Sequence, residues 1–309
     1  MPSNTYSPSL DQGAKLTFES NFLMLAQQKA TKLGGSGICV YVPSMGKTHN
    51  MVRMGSTELT KVNTRNPLKQ YADYNIDNRQ FSKSRFTKTF QIDKKQDINE
   101  LIADPTSNLL QTLVMASKRT MDREIILGAT GAVLVGAPDE TPTSLSATND
   151  GVISITATGG LDYSDIVSVT QNFINNDIPL EDFRGSIIAL TGKENSDLMG
   201  ITEFINNDFI SGEIVNQGVA SRAGMYGVIP FAGSVTGGIT VPNPILVEGV
   251  TTRSCVVLAP NSVAISYELA DLRVENSAER VNSVDITIDM WIGTMRIEGP
   301  RVQILTTTI

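Results

Sequence analysis

The residue types that usually carry chemistry are scarce in this 309-residue chain, and their spacing is poor for it. His49 is the only histidine, so a two-histidine zinc motif is impossible, and Cys39 and Cys255 would add only two thiolates. The two cysteines lie far apart in apolar, strand-like runs, which suits buried thiols better than a disulfide or a nucleophile. A Ser–His or Cys–His pair would have to use His49, which sits in a polar stretch read as an exposed loop. Gly46-Lys47-Thr48 ends like a phosphate-binding loop, yet the required upstream glycine position holds Tyr41 and no helix is expected to follow. Gly192-Lys193 continues with Glu194 rather than Ser or Thr, and no G-x-G-x-x-G opens a helix after a strand. Among carboxylate pairs, Asp139-Glu140 and Glu181-Asp182 read as loop charges, and Asp285 with Asp289 lines the polar face of a strand. No catalytic residue, metal site or cofactor is expected.

Charge is more informative than chemistry. The net charge is −7, which argues against nucleic-acid binding through general electrostatics. Residues 47–95 nevertheless hold eleven Lys and Arg against four Asp and Glu, so this segment is +7 and the remainder −14. A basic projection on an acidic body suits a chain that lies on another copy of itself, because complementary fields steer and register such a contact. The competing reading is a nucleic-acid arm, with Phe81, Phe86 and Phe90 as stacking residues. Lys83, Arg85 and Lys88 are the basic residues singled out for the contact. No apolar run approaches the roughly 18 residues of a membrane span. No basic-then-apolar leader opens the chain, so synthesis in the cytoplasm is expected.

The elements that would position these charges are readable in outline. Residues 1–18 are polar and aperiodic, an extended arm, and Glu19–Lys32 reads as a short amphipathic helix ended by Gly34-Gly35. From Pro43 to Asp93 apolar residues are thin, so the segment reads as a long two-stranded excursion without a core of its own. Asp104-Pro105 then biases the chain toward a helix start, with Thr106 or Ser107 as cap. The following twenty residues lack Gly and Pro, and Leu109, Leu110, Leu113, Val114, Met121, Ile125 and Ile126 fall on one face. The periodicity predicts a spine helix over 106–127, stopped by Gly128.

Beyond it, Asp162 or Ser164 caps a predicted helix to about Asn175, with Ile166, Val169, Phe173 and Ile174 inward. Ser186–Thr191 reads as a strand buried on both faces, and Asn195–Asn206 as another helix. The string Phe-Ile-Asn-Asn-Asp, at 173–177 and again at 204–208, reads as two helix ends with Asn in the left-handed position. Val284, Ile286, Ile288, Met290 and Ile292 alternate with Asp285, Thr287, Asp289 and Trp291, a half-buried strand. Trp291 on its polar side reads either as an interface residue or as packing under the spine. Arg119, Asp122 and Arg123 near the spine's end read either as surface ion pairs of that helix or as partners for a neighbouring copy's ribbon.

The run Asp104-Pro105-Thr106-Ser107, with Arg119, Asp122, Ile125 and Gly128 in an R-x-x-D-x-x-I-x-x-G exit, resembles the spine-helix segment of tailed-bacteriophage major capsid proteins. The order of elements around it is similar too. The resemblance implies an α+β fold: an N-terminal arm and short helix (1–42), an extended β-hairpin loop (43–94), a peripheral domain (95–162 and 251–309) and an α/β axial domain (163–250). It implies a shell protein that assembles with itself into pentamers and hexamers of an icosahedral virion around double-stranded DNA, held without sequence-specific binding. A portal and a decoration or cement protein are further implied partners; with no long helical leader, a separate scaffolding protein, or none, is expected. The same fold serves encapsulin-type compartments that hold a protein cargo. A reading from another class is a soluble α/β enzyme or carbohydrate-binding module with a groove near 186–235.

Overall fold

The run free of Gly and Pro after Pro105 forms the longest helix among the described residues, α1 (Thr106–Thr130). Its predicted inner face holds, with Leu113, Met121, Ile125 and Ile126 buried. Its end differs from expectation: α1 runs through Gly128 and closes at Gly131, whose N–H donates to the Leu127 carbonyl at 2.8 Å. Gly128 is there for space, because a Cβ would lie 2.7 Å from Thr294 Cβ. The Thr294 hydroxyl meanwhile donates to the Glu124 carbonyl at 2.7 Å.

The computed structural model describes residues 28–43, 46–55, 57–65, 69, 71, 76–93, 106–136, 141–183, 185–201, 225–231, 252–277 and 283–308, with short pieces at 215–216, 219–220, 222–223, 235–236 and 239–240. Of the helix expected over Glu19–Lys32, only 28–32 lies within these residues, and it is irregular. The strands are β1 (Cys39–Tyr41), β2 (Thr48–Met54), β3 (Ile76–Ser82), β4 (Ser84–Asp93), β5 (Val133–Val135), β6 (Thr143–Leu145), β7 (Ile153–Thr158) and β8 (Ile187–Leu190). They continue with β9 (Val215–Asn216), β10 (Val219–Ala220), β11 (Arg222–Ala223), β12 (Tyr226–Pro230), β13 (Val235–Thr236) and β14 (Ile239–Thr240). The last are β15 (Thr252–Leu258), β16 (Val263–Asn276), β17 (Ser283–Arg296) and β18 (Val302–Thr308). Three further helices among the described residues are α2 (Tyr163–Asn175), α3 (Leu180–Phe183) and α4 (Gly192–Gly200). No helix among the described residues is long and apolar enough to cross a membrane.

The chain divides into two units. The larger takes Thr31–Ser84, Met121–Tyr267 and Ile292–Ile309. Its centre is a six-stranded mixed sheet in the order β11-β12-β8-β15-β18-β7. β8 (Ile-Ile-Ala-Leu) is buried along its whole length, as an apolar run without alternation demands. Ile166, Val169 and Phe173 of α2 pack on this sheet with Leu190, Val257 and Leu305. Ile174, expected inward, is instead exposed. α2 starts as predicted at Asp162, whose N–H bonds the Asp165 carboxylate at 3.0 Å. At its end the left-handed residue is Asp177 (φ 54°) rather than either Asn; the second copy of the string, at 204–208, lies outside the described residues. α4 begins three residues earlier than expected, because Thr191 and Glu194 form a capping box there.

The strands at 252–258 and 302–308, which the resemblance assigns to the peripheral domain, lie inside this six-stranded sheet. β15 ends in the buried apolar run Cys255-Val256-Val257-Leu258, which suits a central strand, whereas β18 mixes buried and half-buried positions. The expected boundary at 250/251 therefore does not separate two sheets.

The smaller unit takes Arg85–Thr120 and Glu268–Trp291 among its described parts. There β4 lies beside β17, and Ile92 packs with Leu113, Ile286 and Ile288. Residues 84–93, expected as the return limb of a coreless ribbon, thus share a core with a strand almost 200 residues away. β17 also lacks the wet face its alternation suggested: Asp285, Thr287 and Trp291 are half-buried and Asp289 is buried.

Candidate assembly surface

The ribbon is built from the larger unit alone. β2 and β3 pair antiparallel from Thr48↔Ser82 to Met54↔Ile76. β3 then continues into β5 and β6 as a four-stranded sheet. Its base has a core after all, since Phe81 and Met51 pack with Val133, Ala264 and Met295. Beyond the base the burial stops. Val52, Met54, Leu59, Val62, Tyr71 and Ile76 are six of fifteen large apolar side chains exposed among the described residues. Leu59 is fully exposed and Tyr71 is 93% exposed. All six belong to the segment 52–76.

A second concentration lies on α2. Tyr163, Val167 and Ile174 recur along its outer face and, with Met225, Tyr226 and Thr170, line a groove of about 520 Å³. Thr170 and Tyr226 share a hydroxyl–hydroxyl hydrogen bond of 2.8 Å at its floor. These two surfaces hold ten of the fifteen exposed residues.

The residues singled out for charge fare unevenly. Lys88 is exposed and stands over the Phe90 ring at 5.9 Å. Arg85 is exposed but grips its own chain, donating from Nε to both oxygens of Asp289 at 2.9 and 3.0 Å. That contact lowers the Asp289 carboxyl pKa and raises that of Arg85. Lys83 is buried, with its N–H donated to the Lys47 carbonyl at 2.9 Å, because it closes the ribbon base. Asp122 is wholly buried: its oxygens accept the N–H groups of Lys32 (2.9 Å) and Leu33 (3.1 Å). It pins the chain before β1 to the spine and is an internal anchor rather than a surface partner. Arg119 and Trp291 are half-buried, and half-buried Arg123 lies 4.0 Å from Glu124.

The candidate chemical residues stay apart. His49 is buried against Phe81, ring centroids 5.2 Å apart, and burial together with nearby Lys83 lowers its pKa. Burial pushes the Cys39 thiol up to about 12, and burial, with Glu194 nearby, also raises Cys255 well above its ordinary value. Gly46-Lys47-Thr48 leads into a strand, and the amide end of α4 is filled by its own Glu194. No group of three His, Cys, Asp or Glu side chains suited to a metal occurs among the described residues.

The described residues thus hold a ribbon rooted at its base, with exposed apolar residues farther out, together with a long helix and a mixed sheet. A sequence model of the phage capsid protein family matches residues 10–307. The chain belongs to the phage capsid protein family. Solved structures carry the same fold at low identity. The head of Helicobacter pylori bacteriophage KHP40 superposes with a TM-score of 0.68 at 10% identity, covering 100% of this chain and 99% of that one. The mature capsid of bacteriophage PhiM1 gives 0.65 at 12%, covering 94% and 90%. The capsid of cyanophage P-SCSP1u gives 0.62 at 14%, covering 98% and 99%. No curated protein matches the chain in sequence. The tailed-phage capsid fold expected from the spine segment is the fold found, and this capsid protein spans nearly the full length of those relatives.

Proposed function

We propose that this capsid protein is the major shell subunit of a tailed double-stranded DNA phage, assembling with itself into pentamers and hexamers of a closed icosahedral shell. Its work is association rather than catalysis. The observation that carries this is the ribbon: its base is rooted in its own chain, while Leu59, Val62 and Tyr71 beyond it are exposed. Seated on a neighbouring copy, those side chains leave water, and each contact can be weak because a shell makes many at once. The outer face of α2 is the second such surface. Lys88, Arg119, Arg123 and Trp291 remain interface residues in this reading; Lys83, Arg85 and Asp122, engaged within their own chain, are replaced by the exposed apolar set. The axial part is taken as the six-stranded sheet with α2 and α4, now including 252–258 and 302–308. DNA inside is enclosed rather than read, and scaffold, portal and cement proteins are its further partners.

Electron microscopy of purified protein tests the proposal: closed shells of uniform size are expected, and a monomer at all concentrations overturns it. The content of native particles separates a virion, which holds DNA, from a compartment holding protein cargo.

A further inference from the structure

The base of the ribbon is fastened by a charge cluster that local sequence patterns do not announce. Arg79 of β3 and Arg296 at the end of β17 are both fully buried, and both grip the carboxylate of Asp150. Arg79 Nη1 donates to Asp150 Oδ2 at 2.9 Å and Arg296 Nε to the same oxygen at 2.7 Å, while Arg79 Nη2 bonds Oδ1. Arg296 Nη1 also donates to the Ala129 and Gly131 carbonyls at 2.6 and 3.0 Å, so it closes the end of α1. Each ribbon strand then sends one guanidinium to successive carbonyls at the end of β17. Arg79 reaches Arg296 O at 2.9 Å and Arg53 reaches Ile297 O at 3.1 Å. Arg53 is held by Asp77, which also lies 3.7 Å from Arg79. Gly299 packs so closely on the Asp150 carbonyl that no side chain fits there.

We propose that Asp150 is a positioning residue for assembly: clamped between Arg79 and Arg296, it fixes the direction in which the ribbon leaves its own sheet. This rests on the shell reading above. The physical reason is the charge count. Three guanidiniums (Arg53, Arg79, Arg296) face two carboxylates (Asp77, Asp150), and two of the cations have no access to water. Removing the Asp150 charge leaves two buried cations with no adequate partner, the costly way to break such a cluster. The ribbon yields first, because its outer part has no other cover. Burial opposes the charge of Asp150, but the hydrogen bonds from Arg79 and Arg296 outweigh it and hold the carboxyl below its usual range. The clamp therefore persists above pH 3.8, the ordinary carboxyl value, and is lost as pH falls further through the lowered one.

The test compares wild type with Asp150→Asn by hydrogen exchange on unassembled subunits, then by shell formation at pH 7. Exchange is expected to rise at least tenfold in 48–54 and 76–82 with no change in 187–190 and 252–258, and shell yield to fall at least tenfold. Wild type should show the same local rise on acidification below pH 3.8, and the variant no such step. Unchanged ribbon exchange overturns the clamp whatever the shells do, and so does a uniform rise over the whole chain. Normal shells from a loosened ribbon overturn its role in assembly. If Asp150→Asn does not fold, Asp77→Asn at the more accessible outer pair must show the same local loosening at smaller amplitude, or the clamp is rejected. Should wild type form no shells at all, the shell reading fails while the exchange experiment still judges the clamp.

Discussion

The six-stranded sheet and the ribbon are both β-structure in one unit, yet they treat apolar side chains in opposite ways. In the sheet, β8 and β15 lie between neighbours and under α2, and Ile188, Val257 and Leu305 never meet water. In the ribbon two strands pair along seven residues, and Val52, Met54, Leu59 and Tyr71 stay in solvent. Both are hydrogen-bonded ladders, so pairing does not separate them; cover does. A sheet buried on both faces stabilises the subunit, whereas one without cover stores its gain until a second surface arrives.

The largest effect should come from the covered side. Ile188→Ala removes a fully buried side chain between sheet and helix and should cost about 2–5 kcal/mol, a large share of a domain's stability, measured by urea unfolding. Replacing 55–75 with a short turn should do the reverse: a subunit melting within about 5 °C of wild type that forms no closed shells in electron micrographs. Normal shells from that deletion would erase the contrast. Leu59→Ser with Tyr71→Ser sharpens it, since exposed substitutions should move stability by no more than about 0.5 kcal/mol while assembly by light scattering needs several-fold more protein. Reversing the exposed Lys88 to Glu should slow assembly most at low salt, where the new repulsion is least screened. The smallest effect is at His49. Its folded pKa lies below the ordinary 6.5, so the stability owed to the neutral ring is full above pH 6.5 and drains as pH falls below it. The urea midpoint of His49→Phe should therefore depend less on pH between 7 and 5 than that of wild type.

Local patterns were legible because their causes are local. The spine's inner face, the Asp162 cap and the buried run 187–190 follow from spacing alone. Gly128 misled because a helix stop and a close approach ask for the same residue, and only Thr294, far along the chain, decides which. The ribbon's limits were misjudged for the same reason: Ile92 finds its cover at Ile286 and Ile288. Lys83 and Asp122 were read as surface charges because surface is where charges usually lie. Their actual roles depend on Lys47 and on the amides of Lys32 and Leu33. Asp150 carried no signal, since its two partners stand 71 and 146 positions away.

Leu59 and Tyr71, left bare on a lone subunit, also govern how the purified material should be handled. Before assembly each molecule is sticky at the same spot, so crowding invites shapeless precipitate as readily as ordered particles. Because attraction between oily groups fades on chilling, dilute, cold stocks should keep longest, and gentle warming should restart growth.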